Sequence, residues 1–192
     1  QGTLVLQGNQ TARRLETTSG AGAVTVSGGT LALGVNGQYS SDFAPAAGTS
    51  ITVTSTVSKA GSTQDFLYKY GSGTVFLGNA AAVNFGGIVT QEGAFDLVGS
   101  LQDTLVQQKR LVLQGPDDNV PVFQLSGNFT GSLGEGGGNI SWFDSGGFAA
   151  RTAPLTVNLN NNAGTLTWAS TAHFVGDGEA LVFGSETADD VV

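Results

Sequence analysis

One short phrase returns along this chain: a glycine, a small polar residue and then a short alternation of apolar residues. Its copies begin at Gly2, Gly29, Gly48, Gly73, Gly93 and Gly164. The spacing between successive members of the first five copies is typical of solenoid repeats and exceeds the roughly 8–12 residues that separate hairpin-linked strands. The sequence therefore predicts an internal repeat in which each phrase forms one coil.

Turn chemistry distinguishes parallel coils from antiparallel hairpins. A β-sandwich would place two-residue Asn-Gly or Asp-Gly turns between strands of comparable length, and the sequence offers Asn36-Gly37 for that role. At about 20 residues per coil the chain would make roughly nine coils. We therefore predict an all-β fold, a parallel β-helix or β-solenoid of roughly nine coils, with residues 1–192 forming a single module.

The composition agrees with a structure of strands and tight corners. Glycine accounts for 30 of the 192 residues, about twice its average share, whereas charged residues reach 11% against an average near ~25%. A hydrophobic content of 40% is too high for a disordered chain, so we expect the glycines at turns. The predicted corners are Gly20-Ala21-Gly22, Asn36-Gly37, Gly71-Ser72-Gly73, Gly86-Gly87, residues 134–138 and Gly146-Gly147.

The stretch from 101 to 114 comes closest to helical spacing. It ends in Leu111-Val112-Leu113-Gln114-Gly115, which repeats the five residues from Leu4 to Gly8. Because the local phrase matches a strand elsewhere in the chain, the sequence favours a strand here as well.

Alternation within each phrase predicts which side chains face the core. The expected core residues are Leu4, Leu6, Val24, Val26, Leu31, Leu33, Ile51, Val53, Val75, Leu77, Leu97, Leu111, Leu113, Leu166 and Val182.

Two longer stretches, residues 36–47 and 58–71, interrupt the repeat, and we expect both to protrude from the stack. Their aromatic residues are Tyr39, Phe43, Phe66, Tyr68 and Tyr70. Exposed aromatic side chains form docking patches for sugars or proteins, and they also seal loops onto a core. Both interpretations of these five residues stay open.

Charge and cysteine content exclude several classes of function. The net charge of −8 and the isolated basic pairs Arg13-Arg14 and Lys109-Arg110 argue against nucleic acids and anionic membranes as partners. The absence of cysteine removes disulfides, thiolate metal sites and thiol nucleophiles. No run of apolar residues is long enough to span a bilayer, so we expect no membrane insertion by this segment.

The sequence contains no recognisable catalytic motif. His173 has no serine elbow near it, and the acidic residues Asp117-Asp118, Asp177 and Asp189-Asp190 do not recur at coil spacing. Gly176-Asp177-Gly178 lacks the alternating ligands of a calcium loop. We therefore predict no catalytic residue, no metal site and no cofactor, and we expect that the protein is not an enzyme.

Longer segments carry a family resemblance. Residues 19–34 and Gly71-Ser72-Gly73-Thr74-Val75-Phe76-Leu77-Gly78-Asn79 resemble the autotransporter-associated β-strand repeat of large bacterial surface proteins. Residues 140–159, Leu166-Thr167-Trp168 and residues 180–184 are similar to segments that accompany those repeats. The resemblance implies a right-handed parallel β-helix that is exported and displayed on the bacterial cell surface or outside the cell. Residues 101–126 depart from the repeat pattern.

The ends of a solenoid need covering, because a terminal coil otherwise offers unpaired backbone groups and bare apolar surface. This chain opens directly on the repeat phrase, in residues Gly2, Thr3, Leu4, Val5 and Leu6. We predict that these residues stack on another β-element. The expected partner is a neighbouring coil of a longer repetitive polypeptide or another copy of the chain in a filament.

These features favour a non-catalytic structural or adhesive module, a stiff rod for surface display, adhesion or end-to-end assembly. Surface glycans and host or matrix proteins are further candidate partners. Two alternatives stay open, a polysaccharide-degrading enzyme on the same scaffold and a phage or secreted spike. A recurrent column of carboxylates in a cleft would favour the enzyme, and a trimeric assembly would favour the spike.

Overall fold

The computed structural model describes residues 1–34, 41–60, 66–78, 85–97, 108–159 and 164–192. Fifteen β-strands are formed within these ranges. They are β1 (Gly2–Ala12), β2 (Arg14–Glu16), β3 (Ala23–Leu33), β4 (Asp42–Ala44), β5 (Ser50–Val53), β6 (Thr56–Lys59), β7 (Phe66–Lys69), β8 (Thr74–Leu77), β9 (Gly87–Thr90), β10 (Ala94–Asp96), β11 (Arg110–Leu113), β12 (Val122–Leu133), β13 (Asn139–Trp142), β14 (Gly146–Leu159) and β15 (Leu181–Phe183).

The strands stack in parallel along two ladders. The first ladder follows the order β1-β3-β5-β8-β10-β12-β14-β15, and the second follows β2-β4-β7-β9-β11-β13. The first ladder carries an extra face where β6 pairs with the second half of β3. The chain therefore forms an all-β solenoid, as the repeat phrase predicts.

The structure does not confirm nine coils: eight strands stack in the first ladder, from β1 to β15. The expectation of nine coils assumed about 20 residues per coil. Partners in successive coils lie further apart in the chain than this, as Val24 and Ile51 do near one end and Phe95 and Phe123 do near the other. Because most described coils are longer than assumed, the same chain length makes fewer turns.

Side chains of successive coils form columns that run along the solenoid. One inward column of the first ladder contains Gly2, Val24, Ile51, Val75, Phe95, Phe123, Phe148 and Phe183. The members from Ile51 to Phe148 are buried, whereas Phe183 in the last strand is 60% exposed. Stacking of like side chains at strand spacing thus forms the core.

Most of the predicted core is confirmed. The buried members are Leu6, Val26, Leu31, Leu33, Ile51, Val53, Val75, Leu77, Leu97, Leu111 and Leu113. The four exceptions lie near the ends of the stack. Leu4 lies in the first strand and is 45% exposed, and Leu166 lies at the other end and is half-buried. Val182 is wrong as a core-facing residue, because it pairs with Gly147 while its neighbour Phe183 continues the inward column. Val24 is half-buried because its neighbour in the column, Gly2, has no side chain to cover it.

Two pairs of glycines serve different purposes in the strands. Gly28 and Gly29 have φ values of 74° and 28°, and they bend β3 where it passes from one face to the next. The sequence predicted a corner at Gly146 and Gly147, but in the structure these two residues begin β14. A Cβ atom on Gly147 would lie 1.7 Å from the carbonyl oxygen of Val182, so this glycine allows β15 to approach closely.

The two stretches expected to protrude belong to the stack wherever they are described. Residues 42–44 form β4, residues 56–59 form β6 and residues 66–69 form β7. Short strands without the glycine phrase therefore complete the coils, because the second ladder needs only a few paired residues per turn. Asn36-Gly37 lies outside the described residues.

The strand predicted at the end of the 101–114 stretch is confirmed as β11. Its residues Leu111 and Leu113 pair with β9 on one side and β13 on the other. Residues 101–107 lie outside the described residues.

We expect Leu31→Asp to destabilise the fold by several kcal/mol, because Leu31 is 2% exposed and a carboxylate there would be buried without a partner. Urea unfolding followed by circular dichroism measures the change. Thr130→Asp is the matched control, since Thr130 is an exposed residue within β12. Equal unfolding midpoints for the two variants would show that Leu31 does not face the core.

Candidate functional site

Exposed apolar side chains are concentrated at the two ends of the solenoid. Among the described residues, the large exposed hydrophobic side chains are Leu4, Val5, Phe143, Trp168, Phe183, Val191 and Val192. Leu4 and Val5 lie in the first strand, and all the others except Phe143 lie in residues 164–192. We call β1 with the cavity beside it the head, and residues 164–192 the tail.

The head presents an open strand edge. Within the described residues, β1 pairs with β3 along one edge and with no strand along the other. Leu4 pairs with Val26 in an inward column, yet it is 45% exposed because none of the described coils covers β1 from its other side. Val5 is 58% exposed. The five residues predicted to stack, Gly2 to Leu6, therefore all lie on this edge.

A shallow cavity opens beside this edge. It has a volume of about 350 Å³ and is lined by the apolar side chains of Leu4, Leu6 and Leu31 together with Gln7 and Gln10. The Gln10 amide nitrogen donates a hydrogen bond to the Gln7 carbonyl at 2.9 Å. The head thus combines an apolar cavity with exposed polar residues of β1 such as Thr3 and Asn9.

The tail covers most of the opposite end with aromatic side chains. The Trp142 ring in β13 contacts Phe174 of the tail, with centroids 5.5 Å apart, and Phe174 contacts Trp168 at 6.1 Å. Trp142 also contacts Phe148 of the inward column at 5.7 Å. Edge-on contacts of this kind stabilise the packing beyond the area that they bury.

The last residues of the tail close part of the final strand edge. The backbone N–H of Leu155 donates to the carbonyl of Val191 at 2.8 Å, and Asp190 forms an antiparallel bridge with Ala150. The Asp189 carboxylate accepts a hydrogen bond from the N–H of Thr152 at 2.6 Å. This end of β14 is therefore capped.

The turn between β15 and that cap crosses the outer face of the first ladder. The Thr187 hydroxyl lies 3.0 Å from both the Gln124 side-chain oxygen and the Thr74 hydroxyl. The Gln124 amide donates to the Ser185 hydroxyl at 2.9 Å. These bonds connect the tail to β8 and β12, so the tail is anchored to coils well inside the solenoid.

One part of the tail is not capped. Strand β15 pairs with β14, and no described strand pairs with its other edge. Its residue Phe183 is 60% exposed and lines an apolar cavity of about 440 Å³ together with Phe148, Leu166 and Val192. Phe183 is absent from the residues predicted from the sequence, although it follows the same apolar alternation as the other members of its column.

The predicted aromatic docking patch is only partly present on the surface. Phe43 is wrong as a member, because it is 0% exposed and faces the core from β4. Phe66, Tyr68 and Tyr70 are half-buried, and the rings of Tyr68 and Tyr70 stack at 5.9 Å. Tyr39 lies outside the described residues.

Ionic contacts fix this aromatic row in place. The Arg14 guanidinium lies 5.4 Å above the Tyr70 ring, and its Nε donates to the buried Asp42 carboxylate at 2.6 Å. The hydrogen bond to Asp42 raises the pKa of Arg14, and burial raises the pKa of Tyr68 and Tyr70. The arrangement is typical of rings that seal a surface onto the core.

A second arginine joins the same surface to a later coil. Arg110 lies 5.8 Å from the Phe66 ring and 5.5 Å from the Phe143 ring, and its guanidinium is 3.3 Å from the Glu135 carboxylate. Phe143, the exposed aromatic residue outside the two ends, is thus held by a cation–π contact.

Three carboxylates, Asp117, Asp144 and Glu179, line an open pocket of about 420 Å³, the acidic pocket. The buried Ser145 hydroxyl is bonded to Asp117 and, at 2.8 Å, to Glu179, and it accepts a hydrogen bond from the N–H of Ala180 at 2.8 Å. Burial, followed by the charges of Glu179 and Asp117, raises the pKa of Asp144. Ser145 therefore already uses its hydroxyl in these bonds. The pocket connects Glu179 and Ala180 of the tail to the loop after β11, which contains Asp117, and to the loop after β13, which contains Ser145.

A buried lysine closes a corner of the second ladder. Lys69 is 0% exposed and lies between Phe43 and Thr90 in an inward column. Its Nζ donates to the carbonyls of Glu92 at 2.6 Å and Tyr70 at 3.2 Å, and also to that of Gly71. Burial lowers the pKa of Lys69 to about 7, and the charge of Glu92 opposes the change.

The described part of the chain contains no candidate metal site and no helix that could span a membrane. No three histidine, cysteine or carboxylate side chains among the described residues are grouped so that they could hold a metal ion. No helix formed by those residues has the length and hydropathy needed to cross a membrane.

Comparison with known proteins identifies no relative of this chain. No protein-family model matches the sequence, no curated protein matches it, and no solved structure matches its fold.

We expect the free energy of unfolding to rise between about pH 7 and pH 10 through Lys69. Its folded pKa of about 7 lies below the roughly 10.4 of an unfolded lysine, so the unfolded chain binds more protons in this range. The slope is at most about 1.4 kcal/mol per pH unit. Lys69→Met should remove this slope, whereas the half-buried control Lys59→Met should keep it. Parallel profiles of wild type and Lys69→Met in urea unfolding would contradict the prediction.

We expect Ser145→Ala to loosen the tail, with a loss of about 1–3 kcal/mol. The variant leaves the Ala180 N–H without its acceptor and Asp117 and Glu179 without the hydroxyl to which they bind. Hydrogen exchange of the Ala180 amide should speed up more than that of β5 amides. Ser170→Ala, at an exposed tail residue, is the control, and equal exchange in the two variants would exclude the role assigned to Ser145.

Proposed function

We propose that this protein is a non-catalytic structural module, a stiff β-solenoid rod whose head stacks on another β-coil. The observation that carries the proposal is the open edge of β1, which leaves Leu4 and Val5 exposed while the interior strands of the ladder are paired on both sides. Open edges of β-sheets accept further strands. Continuous ladders of backbone hydrogen bonds along the rod account for its stiffness.

The remaining features of the proposal rest on physical or sequence arguments. We propose a right-handed coil, because crossovers between parallel strands of one sheet are right-handed in nearly all proteins. The resemblance to the autotransporter-associated β-strand repeat supports display on a bacterial cell surface or outside the cell. Adhesion to glycans or to host and matrix proteins belongs to the same proposal, with the half-buried row of Phe66, Tyr68 and Tyr70 as its surface.

The alternative of a polysaccharide-degrading enzyme would have to use the acidic pocket. There, Asp117 and Glu179 are already bonded to Ser145, which in turn connects to the tail. These bonds favour a structural role for the three residues, and so they support the non-catalytic proposal.

An added coil tests whether the head accepts one. A variant that carries a second copy of residues 1–22 in front of residue 1 repeats the spacing that separates Gly2 from its partner Val24. We expect the new coil to fold on the head, to bury Leu4 and to raise the Tm by a few degrees, since about 1 kcal/mol corresponds to roughly 2–4 °C at this length. Calorimetry and hydrogen exchange of the Gly2–Leu6 amides measure the two effects.

The control is a variant of equal length in which the sequence of the added segment is scrambled. It should melt like the original chain and leave the head amides unprotected. If the authentic coil also stays unprotected and the Tm does not change, the head is not a stacking surface.

A further inference from the structure

We propose that the β-element that stacks on the head is the tail of a second copy of this chain, an inference that rests on the proposed function. Strand β1 of one copy would pair in parallel with β15 of the next copy. Repetition of this contact gives an open, head-to-tail filament, because the two terminal copies of the assembly keep a free head and a free tail.

Continuity of the first ladder is the first argument. This ladder begins at β1 and ends at β15, and each of these strands has one edge that no described strand pairs. All pairings along the ladder are parallel, so a copy displaced along the axis presents its β1 in the direction that β15 requires. Strand spacing of about 4.8 Å would then continue across the junction.

Shape complementarity is the second argument. Gly2 and Phe183 occupy the same inward column at its opposite ends. In the filament the Phe183 ring of one copy would lie against Gly2 of the next, where no side chain competes for the space. The ring, which is 60% exposed in the single chain, would then fill the space that Gly2 leaves beside the half-buried Val24.

Apolar surface is the third argument. The head exposes Leu4 and Val5, and the tail offers an apolar cavity of about 440 Å³ beside Phe183. Burial of apolar area against apolar area drives association. Of the large exposed hydrophobic residues that the structure describes, Leu4 and Val5 belong to the head, and Phe183 and Val192 line the tail cavity.

Charge disfavours a contact between two tails. Strand β1 contains no charged side chain, whereas residues 164–192 contain five acidic residues and no lysine or arginine. Two tails would bring like charges together, and two heads would leave Phe183 uncovered. Only the head-to-tail contact avoids this repulsion and covers the apolar residues of both ends.

Two blocked variants of the 192-residue chain test the filament. Leu4→Lys blocks the head, and Phe183→Asp blocks the tail. Sedimentation velocity should show wild-type species that grow with protein concentration, whereas either variant alone should weaken association about tenfold or more. Phe143→Asp, at an exposed aromatic residue away from both ends, is the matched control and should associate like wild type.

Mixing the two variants distinguishes the contact from a symmetric one. Leu4→Lys retains an intact tail and Phe183→Asp retains an intact head, so an equimolar mixture should form one-to-one dimers and stop there. Thermal unfolding of each variant at low concentration should match that of wild type, which shows that both are folded.

Three results would overturn the inference. The first is dimerisation of either variant alone with wild-type affinity, and the second is a mixture that stays monomeric where wild type associates. The third is a wild-type chain that stays monomeric at millimolar concentration. If the chain with the added coil still folds in that third case, the proposed stacking function survives. In that case a coil of the same polypeptide is the occupant of the head.

Discussion

Parallel pairing of each coil with the coils on both sides of it is the constraint on which this structure depends. An interior strand such as β5 uses both of its edges, to β3 and to β8, and its inward residues are covered from both directions. A strand at the end of a ladder pairs along one edge only, and its inward residues are covered from one direction only. The exposed apolar residues of β1 and β15 are therefore a direct result of the architecture and not isolated surface features.

The two ends are not equivalent, because the inward column changes in size along the rod. It begins with Gly2 and Val24, passes through Ile51, and ends with Phe148 and Phe183. The Phe148 ring contacts Trp142, which in turn contacts Phe174 of the tail, whereas Phe183 stays 60% exposed. This gradient gives the solenoid a direction, and it explains why covering one end differs physically from covering the other.

The repeat phrase was sufficient to predict parallel β structure and most of the core, because glycine corners and apolar alternation are local properties. The number of coils was not predictable in the same way, since short strands such as β4 and β7 complete a turn without the phrase. Because β4 lacks the phrase, the sequence predicted its residue Phe43 to lie on the surface, whereas in the structure Phe43 is buried in the core. The head was found because its residues carry the phrase, whereas Lys69 and Phe183 depend on partners in distant coils.

An end-on contact between solenoids is small, because it is limited to the cross-section of one coil. Stable interfaces between proteins generally bury about 1,600 Å², and a single rung with a few apolar side chains offers less than a whole face of the rod. Association through Leu4 and Phe183 is therefore expected to be weak for one pair of copies. It becomes strong when copies are tethered close together, because the contact between them then forms at a high effective concentration. A rod of this kind is suited to assembly at a surface, where the local concentration of chains is high.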